Sequence, residues 1–171
     1  MIKYWERFKA LLRPNQIVGD IKEIDFIKLK ARGIKALLLD IDDTLIPSKV
    51  NDVYPSVFEW VMARKEEGFR LCLTSNNRHP MRVKYIGDTL GIPAIHLSFK
   101  PLPFAFWRSM ELLKAKPAET AMLGDQLFMD ILGANLLKIY SIFIQHKIEE
   151  ELVIRKWMRQ AEEWTLAKLK P

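Results

Sequence analysis

Cysteine is nearly absent from this chain of 171 residues. The single Cys72 excludes an internal disulfide and a cysteine-built zinc site. It lies in the apolar run Leu71-Cys72-Leu73, so it reads as a small buried hydrophobe rather than a nucleophile. Long uncharged apolar runs are lacking as well. No stretch approaches the ~18 residues of a membrane span. The first ten residues scatter charges where a signal peptide keeps an apolar core of roughly 7–15 residues. A cytoplasmic protein is therefore expected, with peripheral attachment to the inner face of a membrane still open. No two of the histidines stand at metal-ligand spacing. Neither a G-x-x-x-x-G-K-S/T loop nor a G-x-G-x-x-G turn occurs, which disfavours a P-loop and a dinucleotide fold. Internal repeats, low-complexity tracts and linkers are missing too, so residues 1–171 are expected to form one domain.

The composition is that of a globular protein, with 49% hydrophobic and 28% charged residues. The length suffices for one domain with a real core. The net charge is +6, and the excess is uneven. Residues 1–35 carry nine Lys/Arg against four Asp/Glu. Such a bias suits anionic lipid, nucleic acid or a phosphorylated substrate, and equally a merely solvated surface. No aromatic-interleaved basic motif supports nucleic acid, and none is expected as a partner.

Hydrophobic periodicity alternates between short apolar runs and helical patterns. Residues 1–13 read as an amphipathic helix ended by Pro14. A second short helix runs from an Asp25 cap to Arg32 and is closed by Gly33. Strands are expected at 36–40, 69–74, 92–98, 120–123 and 140–144. Helices fall between them at 54–67, 80–90, 103–115 and 127–137, the last interrupted by Gly133. A long helix over 149–170 follows. This pattern predicts an α/β fold with a doubly wound, Rossmann-like parallel sheet of five strands, flanked by N- and C-terminal helices.

The informative residues are those that terminate the strands. The first apolar run, Ala36 to Leu39, ends in Asp40-Ile-Asp42-Asp-Thr44. Two carboxylates beside a doubly buried strand are costly to hold ionised without a cation or a proton between them. The second strand ends in Ser75-Asn76, Lys100 follows the third, and the fourth ends in Gly124-Asp125 with Asp130 five residues on. In a parallel sheet all these ends lie on one rim, where ligands bind. The set suits phosphoryl transfer through a carboxylate nucleophile. A second carboxyl group moves the proton, a magnesium ion offsets carboxylate–phosphate repulsion, and a hydroxyl and a lysine hold the phosphoryl oxygens.

These motifs resemble those of the haloacid dehalogenase-like phosphatases, whose signature is D-x-D-x-T at the first strand end. The resemblance spans residues 36–145. Asp-Ile-Asp-Asp-Thr-Leu-Ile-Pro, Ser75-Asn76-Asn77-Arg78, Lys100-Pro101 and Gly124-Asp125-Gln126-x-x-x-Asp130 are similar to the YqeG-type branch of subfamily IIIA. That branch includes phosphatidylglycerophosphate phosphatases. The resemblance implies Asp40 as nucleophile and magnesium ligand, and Asp42 as acid/base with its backbone carbonyl on the metal. It implies Ser75, Asn76 and Lys100 as phosphate-binding residues, with Thr44 grouped beside them and supporting the turn. Asp125 completes the Mg²⁺ site, and Asp130 is a ligand or a partner of one. Asp43 reads as a turn residue, while the roles of Asn77, Arg78 and Gln126 stay open.

The gaps from Thr44 to Ser75 and from Ser75 to Lys100 leave no room for a cap domain, so the site is expected to be open. Residues 1–33 then form a helical lead-in, 34–145 the catalytic core and 146–171 a terminal helix. That helix carries Ile154, Trp157, Ala161 and Trp164 at helical spacing, with Arg155, Lys156 and Arg159 interleaved. With Tyr4, Trp5 and Phe8 it makes a candidate membrane-surface element, packing or dimerisation being the plainer explanation. The expected activity is Mg²⁺-dependent hydrolysis of a phosphate monoester, with phosphatidylglycerophosphate as substrate. A soluble phosphatase for a sugar phosphate, nucleotide or phosphoprotein is the rival, and a non-catalytic phosphate-binding protein is the alternative of another class.

Overall fold

Four consecutive apolar residues, Ala36–Leu39, form the central strand β2, and all four are buried. A strand buried on both faces has neighbours on both edges and layers above and below. In the computed structural model, which describes residues 2–145 together with Glu163 and Ala167, β2 pairs in parallel with β3 (Arg70–Thr74) and β5 (Thr120–Gly124). Outside these lie β4 (Ala94–Ile95), paired with β3, and β6 (Tyr140–Ile144), paired with β5. A sixth strand, β1 (Gln16–Val18), caps the β6 edge and gives the order β1-β6-β5-β2-β3-β4.

The expected five strands are thus six. The extra one is only three residues long, with Ile17 exposed, so it carries too little pattern to be read. The third expected strand shrinks from 92–98 to Ala94–Ile95. Beyond it, Leu97 and Phe99 take left-handed backbone angles that no strand accommodates.

Alternation of side chains splits the core into two faces. Leu37, Leu39, Leu71, Leu73, Leu123 and Ile142 point to one side, beneath α2 (Phe26–Ala31), α3 (Pro55–Glu66) and α4 (Pro80–Leu90). Ala36, Leu38, Cys72 and Met122 point to the other, beneath α5 (Pro103–Leu112) and α6 (Leu132–Leu136). Cys72 is buried as expected, and burial pushes its thiol pKa up. The N-terminal helix α1 (Ile2–Leu12) joins this second face, with Leu12 packed against Leu127, Ile131 and Phe143.

Local signals account for most boundaries. The Asp25 side chain accepts from the Lys28 backbone N–H to start α2, and prolines occupy the first turns of α3, α4 and α5. Gly91 closes α4 in the left-handed conformation. The helical segment after β5 differs from expectation. A wide π-type turn over Leu127–Ile131 precedes α6, and Gly133 sits inside α6 rather than breaking it. A Cβ there would come within 2.5 Å of the Phe106 ring, so this glycine permits close packing of α5 on α6. The stripe at Ile154, Trp157, Ala161 and Trp164, and the side chains of Tyr4 and Trp5, lie outside the described residues.

Candidate active site

The chain proceeds from β2 to β3 and β4 on one side, then crosses back to β5 and β6 on the other. The carboxyl ends of β2 and β5 therefore flank the point where the winding reverses, the place where open α/β sheets bind ligands. Asp40 follows β2 directly, and its backbone N–H donates to Leu123 O of β5. Asp125 follows β5. The π-type turn then brings Asp130 back to the same spot, with its carboxylate accepting from Gln126 N at 3.1 Å. Gly124 makes this return possible, since a Cβ there would stand 2.2 Å from Asp130 Oδ2.

Carboxylate oxygens of Asp40, Asp125 and Asp130 lie within 4.8 Å of one another, and all three residues are buried. Lys100 Nζ reaches Asp40 Oδ1 at 2.5 Å, Asp130 Oδ1 at 2.7 Å and the Thr74 carbonyl at 2.6 Å. An ammonium has three protons, and these contacts use all of them. A phosphoryl oxygen therefore reaches Lys100 only by replacing one of its present acceptors. Burial pushes the Asp40 carboxyl up to about 7, against the opposing pull of Lys100. Lys100 is held above the usual lysine range because Asp130 and Asp40 outweigh its desolvation.

Asp40 Oδ2 is buried and has no hydrogen-bond partner among the described residues. Three carboxylates and one ammonium also leave this pocket a formal charge of minus two. An orphaned carboxylate oxygen and that surplus both fit a divalent cation with hard oxygen ligands, such as Mg²⁺.

The Asp42 carboxylate is not one of the three in this cluster and has partners of its own. Its Oδ2 accepts from Asn77 Nδ2 at 2.8 Å, and its Oδ1 pairs with Arg82 at 2.8 Å. Arg82 also donates to the Val50 carbonyl, fastening the irregular segment after β2 to α4. Asp43 takes φ 59° and its carboxylate accepts from Ser48 N, so it is a turn residue. The Thr44 hydroxyl donates to Asp125 at 3.3 Å, which makes it a support for that carboxylate. Ser75 is buried, and its hydroxyl accepts from Asn77 N, leaving its proton to donate elsewhere.

The Asn76 side chain is engaged with the loop that carries Lys100. Its Oδ1 accepts from Lys100 N at 2.8 Å and Ser98 Oγ at 2.6 Å, and its Nδ2 donates to Lys100 O at 3.1 Å. The amide thus ties down the loop that carries Lys100. Arg78 is exposed. Arg82 had no expected role. The available signal was its place in the first turn of α4, where a cation opposes the helix dipole and needs a nearby anion.

The sequence pattern of the haloacid dehalogenase-like hydrolase family matches residues 48–137. The chain is 33% identical over 162 residues to "Probable phosphatase YqeG" of Bacillus subtilis, covering 95% of this chain and 94% of that one. The chain belongs to the haloacid dehalogenase-like hydrolases. It is also 28% identical over 131 residues to the mitochondrial phosphatidylglycerophosphatase GEP4 of Saccharomyces cerevisiae, covering 68% and 70% of the two chains. Among solved structures it shares its fold with the cobalt-bound deoxy-D-mannose-octulosonate 8-phosphate phosphatase of Haemophilus influenzae. The TM-score is 0.54 at 14% identity, over 81% of this chain and 90% of that one. A Listeria monocytogenes protein gives a TM-score of 0.55 at 18% identity, over 70% and 85%. The family members' fold is thus present in this hydrolase, and among its described residues no separate cap domain stands between Thr44 and Lys100.

Proposed function

We propose that this haloacid dehalogenase-like phosphatase cleaves a phosphate monoester through an aspartyl-phosphate on Asp40, and that its substrate is phosphatidylglycerophosphate. The observation that carries the chemistry is the buried Asp40 carboxylate, paired through Oδ1 with Lys100 and, among the described residues, unpartnered at Oδ2. The similarity to a yeast phosphatidylglycerophosphatase and the lack of a cap domain among the described residues support the lipid substrate.

In the first half-reaction an Asp40 oxygen bonds to phosphorus and the bond from phosphorus to the alcohol oxygen breaks. Asp42, once one of its oxygens has exchanged its partner for a proton, gives that proton to the departing alkoxide. In the second, Asp42 takes a proton from water, the water oxygen bonds to phosphorus, and the Asp40–phosphorus bond breaks to release phosphate. Asn77 and Arg82 hold Asp42 at the rim between these tasks. Ser75 and Lys100 bind the non-bridging oxygens. Asp40, Asp125 and Asp130, with the Asp42 carbonyl, would hold Mg²⁺, which when bound offsets repulsion between the nucleophile and the phosphate.

Residues 34–145 form the catalytic core of a single domain in this reading, with 1–33 as lead-in and 146–171 as a terminal segment. The enzyme works from the cytoplasmic side at a membrane surface. Among the described residues no helix is long and apolar enough to cross a membrane. The test is phosphate release from phosphatidylglycerophosphate in mixed micelles beside a sugar phosphate, a nucleotide and a phosphopeptide. The lipid should give the highest kcat/KM. Preference for a soluble monoester would reassign the substrate, and no release from any would leave a phosphate-binding protein.

A further inference from the structure

Ser75 and Lys100, the two residues assigned to the phosphoryl oxygens, come from different loops, one after β3 and one after β4. A third residue is bonded to both loops. Ser98 is buried, at 3% exposure. Its backbone N–H donates to Ser75 O at 3.0 Å, and its hydroxyl donates to Asn76 Oδ1 at 2.6 Å. The same Oδ1 accepts from Lys100 N at 2.8 Å, while Asn76 Nδ2 donates to Lys100 O at 3.1 Å. Ser98 is thus joined directly to one phosphate-binding residue and, through a single amide, to the other.

The chemistry of these groups leaves that amide one orientation. A backbone N–H only donates and a backbone carbonyl only accepts, so Oδ1 faces Lys100 N and Nδ2 faces Lys100 O. The Ser98 hydroxyl takes the second lone pair of Oδ1, which restrains rotation of the amide about its own bond to the chain.

The loop needs such a restraint. Leu97 and Phe99, on either side of Ser98, take φ 47° and 51°. Bulky residues rarely adopt this left-handed backbone, and it persists where surrounding contacts hold it. Here Leu97 N donates to Asn77 O at 3.2 Å, Leu102 N donates to Phe99 O at 2.9 Å, and the Ser98–Asn76 pair holds the segment between. From that segment Lys100 reaches inward to Asp40, Asp130 and the Thr74 carbonyl. A misplacement of about 1 Å in a reacting group can cost about a hundredfold in rate, so the path of this loop bears on catalysis.

We infer that Ser98 is a positioning residue for phosphoryl transfer, acting through the Asn76 amide to fix Lys100 and through its backbone N–H to fix Ser75. This deepens the reading of Lys100 as a phosphate-binding group and rests on it.

The test is a double-mutant cycle on kcat/KM, measured with Mg²⁺ on phosphatidylglycerophosphate in mixed micelles and on p-nitrophenyl phosphate, well below the Tm of every variant. Ser98→Ala removes the hydroxyl and keeps the backbone bond to Ser75. It should lower kcat/KM about tenfold, and Ser98→Thr, which restores a hydroxyl, should recover most of that loss. Asn76→Ala should lower kcat/KM further. The double variant Ser98→Ala/Asn76→Ala should match Asn76→Ala within about twofold, because Ser98 acts through that amide. A merely structural role for Ser98 would multiply the two losses, and that result would overturn the inference. Parental activity in Ser98→Ala would overturn it as well. So would a Ser98→Thr variant no more active than Ser98→Ala, since volume rather than the hydroxyl would then matter. Lys100→Met separates the two levels of the account. Parental kcat/KM in that variant would remove Lys100 from phosphate binding, and the inference with it. An inactive Lys100→Met beside a fully active Ser98→Ala would overturn the inference alone and leave Lys100 in its role.

Discussion

At the scale of single residues, the site separates one carboxylate from another by their partners. Asp40 sits among Lys100, Asp125 and Asp130, whereas Asp42 is gripped by Asn77 and Arg82. The two carboxylates are only two positions apart, yet their surroundings suit different work. Arg82 bridges Asp42 and the Val50 carbonyl with a planar fork, which a lysine cannot copy. Arg82→Lys should lower kcat about tenfold with little change in KM, because in the proposed mechanism it loosens Asp42, the proton carrier, and leaves the phosphate-binding residues alone. The stabilisation of the protein by Mg²⁺, followed as a rise in Tm, should be unchanged. An equal loss of Mg²⁺ stabilisation would show that Arg82 supports the whole site instead. Sequence made the carboxylates, Ser75 and Lys100 legible because their residue types carry the chemistry. It left Arg82 and the partners of the Asn76 side chain hidden, because an amide or guanidinium has many partners within reach and only the fold selects among them.

At the scale of elements, β5 and the π-type turn after it form one device. The turn's extra width returns Asp130 over Gly124, and the glycine leaves the space that the carboxylate fills. Gly124→Ala should push Asp130 out of the cluster. Mg²⁺ affinity should drop about tenfold or more, measured by the Mg²⁺ dependence of Tm and of turnover, with the strand itself preserved. Wild-type Mg²⁺ dependence in this variant would remove Asp130 from the metal site. Most elements were legible because apolar runs, prolines and glycines mark them. Three were not. β1 is a short half-exposed edge, β4 gives way to the strained loop that displays Phe99, and the π-type turn has the composition of an ordinary helix.

At the scale of the whole molecule, six parallel strands gather their chemistry on one rim. The reversal between β2 and β5 makes the crevice, the β3 end supplies Ser75, and the loop after β4 supplies Lys100. That convergence was legible from the order of strand ends alone, since a parallel sheet leaves them no other side. The place of Ser98 between the two phosphate-binding residues was not, because its partners follow from the loop's path rather than from its composition. The central claim is that Asp40 carries the phosphoryl group during turnover. The most direct measurement is borohydride reduction of enzyme quenched in acid during hydrolysis, followed by mass mapping of its peptides. A phosphorylated aspartate is reduced to homoserine, and the predicted result is homoserine at position 40, dependent on substrate, absent from Asp40→Asn, and accompanied in that variant by a loss of turnover of about a thousandfold or more. Homoserine at another position, or undiminished turnover in Asp40→Asn, would contradict the account.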